Sequence, residues 1–344
     1  MKDRLKSAAI AFLLCASGLA LSASGASAQT KLRMVLDWKY QAQMGMFFLA
    51  ADRGYFREEN LDISFDQGEG AGAAAPKIVG GAYDLGFGGT DSVVILNANR
   101  PADAPVAVFM IYGRAPFVIV TKATSPIKTP KDLEGKTVGG PANDGALKLF
   151  PAFAKATGID ASKVTITNMA PNLRAQMLMR GQVDAVFSFR TAMYMDTKLT
   201  GGDPDKDLRF IAYEDHGVDL YSNAIIVSKK LAKENPAAVK GFLRALNRGI
   251  KDTIADPEAA VQSVLKREAL LKPAIERERL QSMFKNDMSA AEAAKIGLGD
   301  VDDARLERTV KVVVEANGLS RTPKASEVFD RSFLPPLSER VRKF

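Results

Sequence analysis

The chain has 344 residues, 47% hydrophobic and 25% charged, an ordinary globular composition that excludes disorder as its bulk state. Its formal charge of +7 includes Lys2, Arg4 and Lys6 set against Asp3; without that segment about +5 remains, counted at neutral pH. The basic residues are scattered, with no Arg-rich stripe interleaved with aromatics, so nucleic-acid binding is not expected.

An apolar run from Ala8 to Leu21 follows the basic start, and Ala26-Ser27-Ala28 precedes Gln29. A basic segment, an apolar stretch too short for a comfortable membrane span and a small-x-small site predict a secretion signal over residues 1–28, cleaved after Ala28. The single cysteine, Cys15, lies in that run behind Leu14, where a lipoprotein signal needs a small residue. The mature chain then has no disulfide, thiolate metal site or cysteine nucleophile. One histidine, His216, is too few for a multi-histidine metal site, and no G-x-S-x-G elbow is present. No metal, no cofactor and no catalysis are expected.

Leu32, Met34, Val35 and Leu36 predict a buried strand from Lys31 to Asp37, with Asp37, Trp38, Lys39 and Tyr40 at its carboxyl end, where open α/β sheets carry their ligand crevice. Trp38 there can stack on a planar ligand or fill the core or rim. Met44 to Arg53 has helical spacing and stops at Gly54. A strand from Leu61 to Phe65 leads into Gln67-Gly68-Glu69-Gly70-Ala71-Gly72, where glycines such as Gly70 permit close backbone approach; no G-K-[ST] follows, so this is no P-loop. After a short helix to Val79, the strand Asp84 to Phe87 ends in Gly88-Gly89-Thr90-Asp91-Ser92, whose hydroxyls can cap a helix or serve a ligand. Val106 to Val120, interrupted by Gly113-Arg114-Ala115-Pro116, reads as two strands.

Ser125 to Pro141 then predicts a crossover, a turn, a strand from Lys136 to Gly139 and a helix capped by Asn143 or Asp144 and running to Thr157. A helix N-terminus favours negative charge, so it is a place for a small anion, although Asp144 itself satisfies the dipole there. The alternation restarts with a strand at Val164 to Thr167, a helix from Asn172 to Arg180 and strands at Val183 to Phe187 and Arg209 to Tyr213. This is a second α/β lobe. Arg190, after a strand end, can clamp a carboxylate or sulfonate by two hydrogen bonds, and Arg114 has the same case; the alternatives are a surface arginine or an interlobe ion pair. Phe189, Tyr194 and Tyr213 can wall an organic ring or fill the core, as can Met193 and Met195. Ala224 to Val227 is a strand returning to the first lobe. From Pro236 four amphipathic helices pack on that lobe as its surface, carrying no chemistry, and the tail SERVRKF is frayed.

The segments LDWKYQAQMGMFFLAADRGYF, GGAYDLGFGGTDSVV, SPIKTPKDLEGKTVG and GQVDAVFSF, in that order, resemble periplasmic solute-binding proteins of ABC transporters, in the nitrate, sulfonate, taurine and thiamine-pyrimidine-precursor (NMT1/THI5-like) family. The resemblance implies the two-lobe (type II) α/β periplasmic binding fold with its cleft between lobes: lobe 1 from 29–123 and 217–344, lobe 2 from 124–216. It implies that Trp38 lines the cleft and that Thr90 and Asp91 stand where a hydroxyl meets the ligand. Precursor binders follow LDW with an asparagine and a histidine, where Lys39, Tyr40 and Gln43 stand here, and the family has a small or hydroxyl residue at Asp144.

The expected function is capture of a small organic anion with a planar or aromatic part by closure of the lobes, with Trp38 and Thr90 on one side and Asn143 and Arg190 on the other, and delivery to a membrane permease by a monomer. A vitamin-like heterocycle such as a thiamine pyrimidine precursor comes next, then nitrate or taurine. A sensory role at a membrane receptor is a further alternative. The same fold resembles pyrimidine synthases that need an active-site histidine, a pyridoxal phosphate lysine and a cysteine-rich segment; the missing mature cysteine argues against that.

Overall fold

The computed structural model describes residues 28–344, so the expected signal, including Cys15, lies outside the described residues. Two five-stranded sheets organise the rest. The first holds β1 (Thr30–Val35), β2 (Leu61–Asp66), β3 (Leu85–Gly89), β4 (Val106–Met110) and β10 (Asn223–Val227), in the order β2-β1-β3-β10-β4. The second holds β5 (Phe117–Lys122), β6 (Thr137–Gly140), β7 (Thr165–Asn168), β8 (Ala185–Phe189) and β9 (Leu208–Ala212), in the order β7-β6-β8-β5-β9. Within each sheet β1, β2 and β3, or β6, β7 and β8, run parallel, and the strand entering from the other lobe, β10 or β5, runs antiparallel to its neighbours. The strands lie within two residues of their expected limits.

The chain crosses between sheets twice, over 111–116 and over 213–222. The first crossing corrects the expected lobe limit at 123/124, because Phe117–Lys122 pairs with β8 and β9 of the second sheet. Two adjacent apolar strands look alike in sequence, and only the kink at Gly113 to Pro116 between them marks the change of sheet.

The helices that reach the cleft or pack the cores around it are α1 (Gly45–Asp52), α2 (Thr90–Asn99), α3 (Gly145–Lys148), α4 (Arg174–Met179), α5 (Arg190–Leu199), α6 (Pro236–Ala255), α7 (Pro257–Leu265), α8 (Pro273–Met283) and α9 (Asp303–Ala316). After α1, Gly54 adopts φ +78°, the left-handed conformation of a helix stop. The helix expected to run to Thr157 breaks at Leu149, because Pro151 removes a backbone donor and suits only the first turn of the next segment, Phe150–Thr157. Asn172 caps nothing: a 3₁₀ turn at Pro171–Leu173 leads straight into α4.

One core lies between the first sheet and α1, α6 and α7, with Phe47, Phe242 and Leu246 fully buried. A second core runs from α2 and α9 across the lobe boundary to Phe117, Phe153 and Phe187, so the lobes are packed together. The C-terminal tail is docked rather than frayed. Leu298 N–H donates to the Val341 carbonyl at 2.7 Å, and the Arg340 guanidinium lies 3.4 Å from Asp300.

Glu276 on α8 is fully buried, accepts the Ala42 backbone N–H at 2.7 Å and lies 3.3 Å from the equally buried Arg279. Removing one partner of such a pair leaves an uncompensated charge. Glu276→Ala is therefore expected to lower stability by about 3–5 kcal/mol in urea denaturation, with Glu276→Gln losing less because it still accepts from Ala42.

Candidate functional site

β1 delivers Asp37 and Trp38 to its carboxyl end, and the glycine loop behind β2 fixes them there. Gly68 N–H donates to the Trp38 carbonyl at 3.0 Å and Gly70 N–H to the Asp37 carbonyl at 2.9 Å. The same loop reaches the second lobe, where Gly72 N–H donates to the Asn143 carbonyl at 3.1 Å. Gly70 has φ +128°, and a Cβ built on it would stand 2.4 Å from the Asn143 carbonyl oxygen. Only glycine lets the two backbones approach this closely.

Between the lobes lies a cavity with about 530 Å³ of empty space, counting its opening to solvent. The first lobe supplies Asp37, Trp38, Gln43, Gly70, Tyr112 and, from α8 and the turn after it, Met283 and Asp287. The second supplies Asp144, Gly145, Arg174, Phe189 and Thr191. Met283 and Asp287 show that the C-terminal helices, expected only as the surface of the first lobe, also reach the cavity wall.

The second-lobe wall is built around Arg174, which pairs with Asp144 at 3.1 Å and, more loosely, with Asp196 at 3.5 Å. Asp144 caps α3, its Oδ1 accepting from Ala146 N–H at 2.9 Å, while its Oδ2 accepts from Arg174 Nη1 at 3.1 Å. Arg174 Nη1 also donates to the Phe187 carbonyl at 3.2 Å, and its Cζ sits 5.8 Å from the centre of the Trp38 ring across the cleft. The expected anion place at this helix end is thus filled by the protein's own carboxylate.

Polar capacity is left over around the cavity. Arg174 Nε, Asp37 Oδ1, Gln43 Oε1 and Asp287 Oδ1 are buried with no hydrogen-bond partner among the described residues, and Arg174 Nη2 has only an ion-pair contact with Asp196 Oδ2 at 3.5 Å. Such groups are costly to leave unpaired and are met by water or a ligand. Burial raises the Asp37 carboxyl from its ordinary 3.8 to about 7, although Asn223 Nδ2 donates to it at 2.6 Å. Burial also holds the Asp287 carboxyl well above the usual range, against the pull of Arg114 and Arg190, and raises that of Asp144 against the pull of Arg174.

Of the ten candidate residues, Trp38, Gly70, Asp144 and Phe189 line this cavity. Thr90 does not: its hydroxyl is fully buried and donates to the Ser222 carbonyl at 2.6 Å, tying α2 to the second crossing. Asp91 is buried at the start of α2, which pushes its carboxyl up to about 6. Asn143 enters only through its carbonyl at the rim. Tyr213 is core, its hydroxyl donating to the Ala146 carbonyl at 2.7 Å and its ring stacked on Phe153. Arg114 and Arg190 lie outside the cavity, Arg114 paired with Glu214 at 2.8 Å and Arg190 over the Phe210 ring. Lys39 is exposed, and His216 packs edge-on against Phe153.

Arg174 and Asp287 were not singled out from the sequence. The one available signal for Arg174 is an arginine opening an otherwise apolar segment, LRAQMLM; for Asp287 there is none.

The raised Asp37 carboxyl sets a pH dependence. Between about pH 4 and pH 7 the unfolded chain releases this proton while the folded chain keeps it, so stability falls as pH rises through that window. Asp37→Asn is expected to flatten that part of the decline in thermal-denaturation scans from pH 4 to 8; an unchanged slope would refute it. Gly70→Ala is expected to hold the lobes apart, giving a larger radius of gyration than the wild type in small-angle scattering.

The NMT1/THI5-like family profile matches residues 41–260. The chain is 26% identical to the riboflavin-binding protein RibY of Chloroflexus aurantiacus, over 91% of this chain and 90% of that one. It is 25% identical to the formylaminopyrimidine-binding protein of Halalkalibacterium halodurans, over 74% and 76%. It is 20% identical to the 4-amino-5-hydroxymethyl-2-methylpyrimidine phosphate synthase of Schizosaccharomyces pombe, over 74% of each. Among solved structures, the alkanesulfonate-binding protein SsuA of Xanthomonas axonopodis pv. citri superposes with a TM-score of 0.68 at 16% identity, covering 89% of this chain and all of that one. The fold is the two-lobe α/β architecture of periplasmic binding proteins. With that profile spanning well over half of its length, the chain belongs to the NMT1/THI5-like family.

Proposed function

We propose that this protein is the periplasmic solute-binding component of an ABC importer, released from its leader after Ala28, that closes two lobes on a planar organic solute and presents it as a monomer to a membrane permease. The observation that carries the reading is the interlobe cavity, where Trp38 from one lobe faces Arg174 from the other and buried polar atoms on both sides lack partners. A ligand touching both lobes stabilises the closed arrangement by contacts that the open one lacks. The closing bodies are the parts carrying the two sheets, hinged at 111–116 and 213–222.

Trp38, Phe189, Tyr112 and Met283 suit the faces of a flat ring, and Arg174, whose Nε makes no hydrogen bond and whose Nη2 has only Asp196 at 3.5 Å, suits an acidic or carbonyl group on its edge. A second reading, a neutral nitrogen heterocycle, is favoured by Asp37 Oδ1 and Asp287 Oδ1, which can accept ring N–H or amino donors. The names of the riboflavin- and formylaminopyrimidine-binding relatives fit it. We propose binding rather than catalysis because the lone histidine is outside the cavity and the lone cysteine precedes residue 28.

Trp38 is the only tryptophan, so its fluorescence reports on cavity occupancy. In a thermal-shift screen of aromatic acids, sulfonates, pyrimidines and flavins, a true ligand is expected to raise Tm and change that fluorescence, with Trp38→Ala weakening binding at least about tenfold. An acid whose binding falls in Arg174→Lys supports the first ligand class. A neutral heterocycle lost in Asp37→Asn supports the second, and silence across the screen would overturn both.

A further inference from the structure

Behind the solute cavity lies a smaller one of about 290 Å³, at the hinge. Its walls come from both crossings and both lobes: Arg114 on the first, Glu214 on the second, Arg190 at the start of α5, and Asn286 and Asp287 after α8. Asp287 alone lines both cavities.

The hinge fixes the backbone of these residues. Arg114 N–H donates to the Asp287 carbonyl at 3.0 Å, and Arg190 N–H donates to the Pro116 carbonyl at 2.8 Å. Arg114 and Glu214 form an ion pair at 2.8 Å, so their charges largely cancel. Arg190 has no carboxylate within ion-pair distance among the described residues; its Cζ rests 5.1 Å from the Phe210 ring centre. The remaining acid, Asp287, is buried, and that burial raises its carboxyl well above the usual range against the pull of Arg114 and Arg190. The pocket is therefore lined by one half-buried guanidinium, Arg190, with no ion-pair partner among the described residues, and by a second, Arg114, that is paired with Glu214.

We propose that this hinge pocket binds a small oxyanion or carboxylate between Arg190 of the second lobe and Arg114 of the first crossing. A planar guanidinium receives two oxygens of such a group by parallel hydrogen bonds, and low solvent access strengthens them. Because Arg190 belongs to the second lobe and Arg114 is tied through its N–H to the Asp287 carbonyl of the first, a bound anion bridges the two and favours the approach of the lobes seen here. By linkage it raises affinity at the front cavity, and a front ligand raises affinity for the anion by the same factor. The site is distinct from the solute cavity and stands or falls without it.

The test titrates the secreted protein, with no other ligand, against sodium phosphate, sulfate, acetate and benzoate, each compared with sodium chloride at equal ionic strength. Tm and Trp38 fluorescence are followed together. A saturable rise in Tm with at least one anion, weakened about tenfold or more in Arg190→Ala and partly restored in Arg190→Lys, is the expected result. Phosphate, sulfate or acetate acting without a change in Trp38 fluorescence identifies a free anion. Benzoate acting alone, with a change in Trp38 fluorescence, identifies the acidic end of a larger solute reaching through past Asp287. No response beyond chloride, or an equal response in Arg190→Ala, overturns the proposal. A circular-dichroism melt of Arg190→Ala in chloride confirms that the variant is folded, so loss of binding is not loss of structure.

Discussion

The Arg174–Asp144 pair is the interaction on which the cleft depends. Both side chains are almost wholly removed from water, at 1% and 4% exposure, and lie 3.1 Å apart. Desolvating two charges costs several kcal/mol each and is offset only where further hydrogen bonds complete their shells. Here Asp144 also caps α3 and Arg174 also binds the Phe187 carbonyl, so one pair ties together the end of β6, the start of α4 and β8. The shell remains incomplete: Nε makes no hydrogen bond, and Nη2 has only Asp196 Oδ2 at 3.5 Å. A rigid wall with unmet donors is what an interlobe ligand can complete.

The charges sort themselves by position. Three carboxyl groups, Asp37, Asp144 and Asp287, line the front cavity with one arginine, and the two arginines Arg114 and Arg190 stand behind Asp287. Asp287 stands between the two spaces; burial above all raises its carboxyl, Arg114 and Arg190 oppose that, and Asp37 and Glu214 add to it.

The strands were legible because each is a short, nearly continuous apolar run bounded by glycine, proline or charge. Gly70 and Trp38 were legible because a strand end and a glycine loop carry their meaning in the local chain. Thr90 and Tyr213 show where that reasoning stops, since a strand end says nothing of whether a side chain turns to the cleft or into the core. Arg174, Met283 and Asp287 sit in segments that read as ordinary helix surface. They became site residues only when α4 and α8 were folded over the cleft, which no local pattern encodes.

The position of β10 has a consequence for the order in which the chain can fold. β10 lies between β3 and β4, and β4 has no other strand partner in its sheet. A chain emerging from the ribosome, or from an export channel, therefore cannot finish its first sheet until residues 223–227 have followed. The second sheet is drawn from one unbroken stretch, 117–212, and can close as soon as that stretch is out. The lobe begun first is thus completed last. Its apolar strands β3 and β4 wait with open edges while nearly a hundred residues form a separate body, the interval in which a holding chaperone matters most to the chain.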